Sequence, residues 1–598
     1  MTAVRYKVGA PNPSSHEFEV RIHVDQTLID GDLILRLPAW IPGSYMVRDY
    51  ARHVIDFSAS ADGKSLSVER LDKSSWRICK PSASVSISLT VYAWDLSVRG
   101  AHLDQHHAYF NAACLCPEVL GHVGPVEMSI SPMPALPESV WVATAMRAVD
   151  TDERGFGLYQ CTDYDELLDH PVEIADQVAV SLEVAGVPHR LIIRGELEFD
   201  QARLAADCKR IFEIHHRLMG TPEDLDRYDV LAFAEVDTYG GLEHRWSTSL
   251  AISVGDLPQS GPAHNAENYT KLLGLISHEY FHLWSVRRLK PAAFEPLDLS
   301  GEVYTRLLWV FEGITSYFDD LALVRSGVIS TGEYLTLLAR ILTRVQRTPG
   351  RHRQSLADSS FDAWTRFYKQ DENAPNAIIS YYAKGSVVAL ALDLKLRAET
   401  TTNLDEVMRV CWQRFYVDGI GMPETGLESV VNELGGVDFT PWFDAVIRGT
   451  DDPDIAPLLQ VMGVEMSVRA RTGSGDRGGV SNANAVSAYA GMTLGSGTTR
   501  VANVIKGSPA QIAGLSAGDE IVAVDGFKAS GSIVEKHIDR STPGTSVAIH
   551  VFRRSRLLAL TVVLGEPPAD TVALAALGDV SDAVMQRRSQ WLWEPSDA

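Results

Sequence analysis

His278-Glu279-Tyr280-Phe281-His282 reads HExxH and lies between two apolar runs. The leucine-rich stretch before it and Leu283-Trp284 after it are typical of a buried helix. On a helix, residues four positions apart share one face, so the two histidines can direct their nitrogens at one tetrahedral Zn²⁺. Glu279 would then lie where it can accept a proton from metal-bound water. This stretch therefore predicts a helix that carries two metal ligands and a general base.

A second apolar stretch, Trp309 to Phe318, carries one acid, Glu312, in its interior. A buried carboxylate requires a compensating charge, because an isolated charge is strongly disfavoured at low dielectric. A zinc ion held by the two histidines would supply that charge and keep its fourth position for water. Glu302 and Glu295 are alternative third ligands, but they lie in more polar surroundings that contain proline and glycine. We expect Glu312 to complete a His₂Glu site.

A short apolar run, residues 230–234, is predicted as a buried strand that leads into Tyr239-Gly240-Gly241-Leu242-Glu243-His244. Paired glycines permit positive φ and close backbone approach. We expect Gly240, Gly241 and Leu242 to form an edge along which a peptide can lie, with Glu243 at that edge. The alternative for this segment alone is a β-bulge with a solvated Glu243.

Two adjacent tyrosines, Tyr381 and Tyr382, precede a helix predicted from Val387 to about Leu396. A tyrosine close to zinc can donate a hydrogen bond to the oxyanion of a tetrahedral intermediate. Adjacent tyrosines are also common in protein cores. The segment by itself therefore leaves both a catalytic and a packing role open.

Residues 1 to about 185 show the period-two alternation of half-buried strands, for example Glu17 to Val24 and Val85 to Val91. We expect an antiparallel β-sandwich or saddle. Within it, Trp40-Ile41-Pro42-Gly43-Ser44-Tyr45 forms a turn. This turn either only packs or reaches the substrate cleft of the next domain.

The composition excludes several function classes. The chain has 598 residues, 45% hydrophobic and 22% charged, with a net charge of −23, which is typical of a soluble multidomain protein and argues against nucleic-acid or anionic-membrane partners. The six cysteines are expected to be reduced. The N-terminus lacks the apolar core of a secretory signal, and no run reaches ~18 apolar residues. We therefore expect a cytoplasmic protein.

The C-terminal third has its own pattern. Gly507-Ser508-Pro509-Ala510, Gly518-Asp519 and a strand ending at Asp525-Gly526 resemble the middle of a bacterial PDZ domain. Residues 490–495 would correspond to its carboxylate-binding loop, where a peptide C-terminus adds a strand. A PDZ fold that only packs on the rest of the chain is the alternative.

HExxH, the Glu312-Gly313 stretch with Tyr317, and the Tyr382-Ala383-Lys384-Gly385 stretch resemble the thermolysin-like aminopeptidases of the aminopeptidase N family. Two features differ from that family. The 29 residues between His282 and Glu312 are more than usual, and Leu242-Glu243-His244 replaces Met-Glu-Asn. In both features the chain resembles the glycyl aminopeptidase family of zinc peptidases, whose members carry a C-terminal PDZ domain.

The resemblance implies a multidomain α+β protein with zinc as cofactor. It implies an N-terminal β-domain at 1–185, a mainly helical thermolysin-like catalytic domain at 186–456, a PDZ domain at 457–566 with a flexible insertion near 472–485, and an extension at 567–598.

The same resemblance implies residue roles. His278, His282 and Glu312 would bind zinc and Glu279 would be the base, while Glu243 would hold the substrate's α-ammonium. Tyr382 would stabilise the transition state, with Tyr381 less favoured. The implied reaction removes N-terminal Gly or Ala from peptides with a free N-terminus. A zinc endopeptidase and a non-catalytic PDZ peptide-binding scaffold remain as alternatives.

Overall fold

The computed structural model describes residues 3–133, 135–195, 197–259 and 266–593. The chain forms two compact units, the first comprising Met1–Val303 and Phe415–Gly421, the second Tyr304–Arg414 and Met422–Ala598. The N-terminal β-rich region, the helical middle and the C-terminal PDZ-like strands confirm the multidomain α+β prediction.

The described part of the first unit contains 21 strands: β1 (Val4–Gly9), β2 (Glu17–Val24), β3 (Leu33–Arg36), β4 (Val54–Ala61), β5 (Lys64–Leu66), β6 (Val68–Arg70), β7 (Ser75–Ile78), β8 (Val85–Tyr92), β9 (Ala101–Leu103), β10 (Ala108–Phe110), β11 (Glu118–Val119), β12 (Val126–Ile130), β13 (Trp141–Ala143), β14 (Arg147–Thr151), β15 (Gly157–Cys161), β16 (Val172–Ala175), β17 (Gln177–Val184), β18 (Val187–Arg194), β19 (Tyr228–Glu235), β20 (Gly240–Glu243) and β21 (Ser247–Ser253). Its α-helices are α1 (Ala112–Leu115), α2 (Tyr164–Leu168), α3 (Gln201–Met219) and α4 (Ala266–Phe281).

The N-terminal strands form one eight-stranded sheet and two four-stranded sheets. The eight-stranded sheet has the order β14-β15-β12-β1-β2-β8-β4-β5, and β1 and β12 are its parallel pair. Side chains of β8 alternate between buried and solvent-facing positions along the strand. This alternation is the physical origin of the period-two pattern in the sequence, because successive residues of a strand point to opposite faces.

A five-stranded sheet follows in the order β17-β18-β19-β21-β20. Strands β18, β19 and β21 are parallel, and β20 pairs antiparallel with β21 at the sheet edge. The hairpin of β17 and β18 crosses residues 185/186, so the sheet extends on both sides of the expected domain boundary. The domain limits themselves stay a prediction.

Helix α4 carries the HExxH residues. It ends at Phe281, so His282 lies in the turn that follows the last helical residue. The ring of Tyr280 stacks on Phe212 of α3, with centroids 3.6 Å apart. The apolar residues that predicted this helix are buried, as expected for a helix that is enclosed on most of its surface.

The described part of the second unit is mainly helical up to residue 461. Its α-helices are α5 (Thr315–Arg325), α6 (Thr331–Gln346), α7 (Leu356–Phe361), α8 (Ala374–Ala377), α9 (Ala383–Glu399), α10 (Leu404–Cys411), α11 (Gly426–Gly435), α12 (Thr440–Phe443), α13 (Ile455–Val461), α14 (Pro509–Ile512), α15 (Gly531–Arg540) and α16 (Asp582–Leu592). Its strands are β22 (Val464–Ala470), β23 (Met492–Leu494), β24 (Val501–Val504), β25 (Glu520–Val524), β26 (Phe527–Lys528), β27 (Ser546–Arg553), β28 (Arg556–Val563) and β29 (Ala569–Ala576).

The C-terminal strands form the PDZ-like fold, in which β25, β26, β27 and β28 make one sheet and β23 pairs with β24. Strand β29 pairs antiparallel with β22, so the C-terminal extension returns to the first strand of the expected PDZ region, 457–566. In the insertion, the Asp476 carboxylate accepts hydrogen bonds from the Thr472 and Gly478 N–H groups.

Two further predictions concern the cysteines and the location of the protein. All six cysteines are free thiols. Over the described residues, the helices are too short or too polar to cross a bilayer. The cytoplasmic location stays a prediction.

Candidate active site

The two HExxH histidines point their ring nitrogens at the same place. His278 Nε2 and His282 Nε2 are 3.3 Å apart. Two nitrogens bound to one tetrahedral Zn²⁺ at 2.0–2.1 Å are separated by about 3.3–3.4 Å. The pair therefore fits a shared metal ion, and this proximity is what the i, i+4 spacing predicted.

A cluster of buried histidines fixes the helix beneath the pair. The Tyr280 hydroxyl lies 2.7 Å from His189 Nε2 and 2.8 Å from His216 Nε2. One turn earlier, Ser277 Oγ lies 2.9 Å from His215 Nε2. Burial lowers the pKa of His216 to about 4, so its ring is neutral at pH 7. The sequence analysis missed this cluster, although the His-His pair on the buried face of α3 was a signal for it.

Glu279 lies against the backbone of the edge strand. Its side chain is 5% exposed. A Cβ added at Gly241 would overlap the Glu279 carboxylate, so glycine is needed at that position. Burial, followed by the negative charges of Glu279 and Glu243, raises the pKa of Tyr228 well above its usual range. Two carboxylates therefore share a small enclosed region.

Glu243 is the last residue of β20 and is 4% exposed. One oxygen of Glu243, one oxygen of Glu279 and one ring nitrogen of His282 all lie within 4.8 Å of one another. The edge strand thus ends in a buried acid next to the candidate base and one candidate metal ligand. Such an acid can bind a cation, for example an ammonium group, beside Glu279 and His282.

The Trp40–Tyr45 turn reaches this acid. Gly43 has φ +86°, and a Cβ on it would overlap the Glu243 carboxylate. Arg99 Nη2 donates a 2.7 Å hydrogen bond to the carbonyl of Gly241. The turn therefore extends to Glu243, and a substrate cleft at this place stays a prediction.

The chain on the other side of Glu243 is held by a buried ion-pair network. Asp169 accepts hydrogen bonds from Arg287 Nε at 2.9 Å and from Arg245 Nε. His244 Nδ1 lies 3.3 Å from the same carboxylate. Burial opposes ionisation, but the Arg287 and Arg245 charges hold the pKa of Asp169 well below its usual range. The network joins the residues after Glu243 to the residues after HExxH, and no local sequence pattern indicated it.

Glu312 belongs to the second unit and is 2% exposed. It lies in a π-helical turn, Trp309–Gly313. A Cβ on Gly313 would come within 2.6 Å of the Gly385 Cα, so this turn packs backbone to backbone on α9. The rival acids Glu302 and Glu295 are both exposed.

The two tyrosines lie at the start of α9 in the same unit. Tyr381 is fully buried, whereas Tyr382 is half-buried. The Tyr368 hydroxyl lies 3.1 Å from the Tyr382 hydroxyl and 3.2 Å from the Tyr381 hydroxyl. Tyr368 was missed in the sequence analysis because it lies outside the recognised motif.

Three family models match the chain. The Peptidase M61 N-terminal domain matches residues 5–176, the M61 glycyl aminopeptidase matches residues 271–388, and the PDZ domain matches residues 461–564. The chain is 35% identical to an aminopeptidase N family protein from Idiomarina loihiensis, with a TM-score of 0.94. That alignment covers 98% of this chain and 100% of the other.

Two weaker likenesses add nothing to the assignment. An M1 zinc metallopeptidase from Deinococcus radiodurans is 13% identical, with a TM-score of 0.47, over 76% of this chain and 95% of that one. A probable periplasmic serine endoprotease DegP-like from Hahella chejuensis is 38% identical over 78 residues, 13% of this chain and 17% of that protein.

The family models cover the N-terminal, catalytic and PDZ regions in the expected order, and the Idiomarina protein matches from end to end. The chain therefore belongs to the M61 glycyl aminopeptidase family of metallopeptidases.

Proposed function

We propose that this metallo-aminopeptidase uses zinc to remove an N-terminal Gly or Ala from peptides with a free N-terminus. The proposal is carried by one observation: the His278 and His282 Nε2 atoms are 3.3 Å apart, beside the buried acid Glu279. The name of the matched family, glycyl aminopeptidase, supports the choice of residue. His278, His282 and Glu312 would hold the ion, since two imidazoles and one carboxylate are an ordinary zinc donor set.

Glu279 acts as the general base. Bound zinc supplies the Lewis acidity that acidifies water and polarises a carbonyl. Glu279 removes a proton from the attacking water and later delivers it to the leaving amine. Because Glu279 lies close to the Gly241 backbone, the orientations open to its carboxylate are limited before substrate arrives.

Glu243 selects the free N-terminus. A peptide extends along the outer side of β20, beside Gly240, Gly241 and Leu242, by adding a strand to the sheet edge. Glu243, at the end of this strand, pairs with the α-ammonium through a charge-assisted hydrogen bond. Since the acid also closes the end of the strand next to Glu279, only one residue lies before the scissile bond.

Tyr382 donates a hydrogen bond to the oxyanion that forms on the scissile carbonyl. The half-buried position of Tyr382 favours it over Tyr381, which is fully enclosed and cannot reach a substrate. Tyr368, within hydrogen-bond distance of both hydroxyls, keeps the Tyr382 hydroxyl oriented.

For the PDZ region we propose a peptide C-terminus as ligand, added as a strand beside β23. The support is the loop before β23, where the Gly491 carbonyl accepts a 2.8 Å hydrogen bond from the Ile505 N–H and Gly491 has φ +82°. Such a turn can direct successive N–H groups at a carboxylate.

The test is the Glu279→Gln variant of the full chain, assayed on free and N-acetylated Gly- and Ala-peptides. We expect a zinc content equal to wild type and a loss of turnover of about 10²–10⁴-fold, the usual contribution of a general base. Glu213→Gln, on the exposed face of α3, is the matched control and should be as active as wild type. Full activity of Glu279→Gln would refute the mechanism, and wild-type cleavage of acetylated peptides at equal rates would favour an endopeptidase.

A further inference from the structure

A second group of metal-ligand side chains lies in the first unit and shares no residue with HExxH. It consists of Cys161 at the end of β15, Glu166 in α2, and His170 just after α2. The thiol sulfur, one carboxylate oxygen and one imidazole nitrogen all lie within 4.8 Å of one another. Thiolate, carboxylate and imidazole are the three side-chain ligands that zinc prefers.

The surroundings of the His170 imidazole point to a bound metal ion. Its side chain is 2% exposed. Within the described residues, neither of its ring nitrogens has a hydrogen-bond partner. The Nε2 atom lies 3.6 Å from Glu166 Oε1, which is too long for a hydrogen bond. A buried polar group left in this state is destabilising, whereas a metal ion would satisfy the ring nitrogen that faces Glu166.

The carboxylate is oriented toward that nitrogen by its own neighbours. Glu166 Oε2 accepts hydrogen bonds from the Thr162 N–H, at 2.7 Å, and from the Thr162 hydroxyl. Its other oxygen, Oε1, faces His170. Outer hydrogen bonds that fix an anionic ligand are typical of metal sites.

The distances between the three ligand atoms allow them to bind one metal ion. Three atoms no more than 4.8 Å apart lie within about 2.8 Å of one point. Zinc binds sulfur at about 2.3 Å and nitrogen or oxygen at about 2.0–2.1 Å, so each ligand atom must move inward by less than about 1 Å. Side-chain rotation can supply this movement.

We propose that Cys161, Glu166 and His170 form a second zinc site, with water as the fourth ligand. Binding replaces the thiol proton of Cys161 by the metal, so one proton is released for each ion bound. The site would join the end of β15 to α2. It would also stiffen the turn after Glu243, because the His170 ring stacks on Trp246 at 5.3 Å.

The experiment uses the full chain, stripped with a chelator and reloaded with Co²⁺ or Zn²⁺. Only this site offers a thiolate, because the HExxH group has nitrogen and oxygen ligands alone. We expect two metal equivalents per chain in wild type and a thiolate-to-cobalt charge-transfer band in the near ultraviolet. Cys161→Ser should lose the band and one equivalent.

Three further variants separate this site from the HExxH site. Cys208→Ser, which removes another buried thiol, should keep the band and both equivalents. His278→Ala should lose one equivalent and keep the band. His170→Gln should also lose one equivalent, which tests the site should Cys161→Ser fail to fold.

The proposal is overturned when wild type shows no charge-transfer band under cobalt saturation, or when the band survives in Cys161→Ser. A single equivalent accompanied by the band would support this site and count against metal binding at HExxH. The two proposals therefore fail in distinguishable ways.

Discussion

Glu243 is a residue whose charge, rather than its bulk, should decide which substrates the enzyme accepts. We expect Glu243→Gln to lower kcat/KM on free-amine peptides by about 10–100-fold, because a hydrogen bond to a charged group contributes about 1.5–3 kcal/mol. N-acetylated peptides, which have no ammonium group, should lose little. Steady-state kinetics on matched free and acetylated peptides measures the ratio. Equal losses on both substrates would remove Glu243 from the anchoring role.

Gly43 is a second single residue that should affect activity, because it lacks a side chain. A Cβ there would overlap the Glu243 carboxylate, so Gly43→Ala should displace that carboxylate and lower kcat/KM on free-amine peptides by about 10-fold or more. Gly31→Ala is the matched control, since Gly31 also has positive φ, +90°, but nothing lies within 4 Å of its added Cβ. Both variants should lose about 1 kcal/mol of stability from backbone strain. Equal kinetics in the two variants would contradict the proposed contact.

Helix α4 is the element on which the candidate site depends, and its support is sensitive to pH. His216 has a folded-state pKa of about 4, below its usual value near 6.5. The unfolded chain therefore binds the proton first, and the free energy of unfolding falls as the pH drops from 6.5 to 4. For this one group the loss is at most about 3 kcal/mol.

Urea unfolding between pH 7 and pH 4 measures this loss. In His216→Gln the side chain does not titrate, so the pH dependence should be flatter than in wild type. The exposed His106→Gln is the control and should follow wild type. Parallel pH profiles for wild type and His216→Gln would exclude the histidine as an acid-sensitive support of α4.

The elements differ in how much of them the sequence alone could predict. Strand β8 was predicted within a residue because one face of it is buried, and the resulting period-two pattern is a local property of the sequence. Helix α9 is longer than predicted, Ala383–Glu399 rather than residues 387–396. It is buried on nearly all of its faces, so its sequence shows no alternation of apolar and polar residues that would mark the ends of the helix.

The candidate site likewise has some features that the sequence predicts and others that it does not. The proximity of His278 and His282 follows from their i, i+4 spacing at the end of α4. The contact of Gly43 with Glu243, and the gathering of Cys161, Glu166 and His170, depend on tertiary packing between segments that carry no mutual signal in the sequence.

At the scale of the whole molecule, the C-terminal extension packs against helices of the second unit as well as against β22. Strand β29 packs with α6, where the Thr343 hydroxyl accepts a 2.9 Å hydrogen bond from the Val572 N–H. Further on, Trp591 of α16 is fully buried. Its Nε1 donates to the Tyr317 hydroxyl at 2.9 Å, and its carbonyl accepts from Arg325 Nη2 at 2.9 Å. The last helix thus closes the core around α5.

We therefore expect Trp591→Ala to destabilise the second unit by about 3–5 kcal/mol, the usual cost of deleting a buried aromatic side chain. The physical reason is the cavity beside α5, together with the loss of the hydrogen bond to Tyr317. Scanning calorimetry should show one unfolding transition moved to lower temperature, while a transition that reports the first unit stays in place. Trp94→Ala, at a tryptophan that is 54% exposed in the first unit, is the control and should cost much less. An unchanged thermogram for Trp591→Ala would mean that the extension contributes nothing to the stability of the second unit.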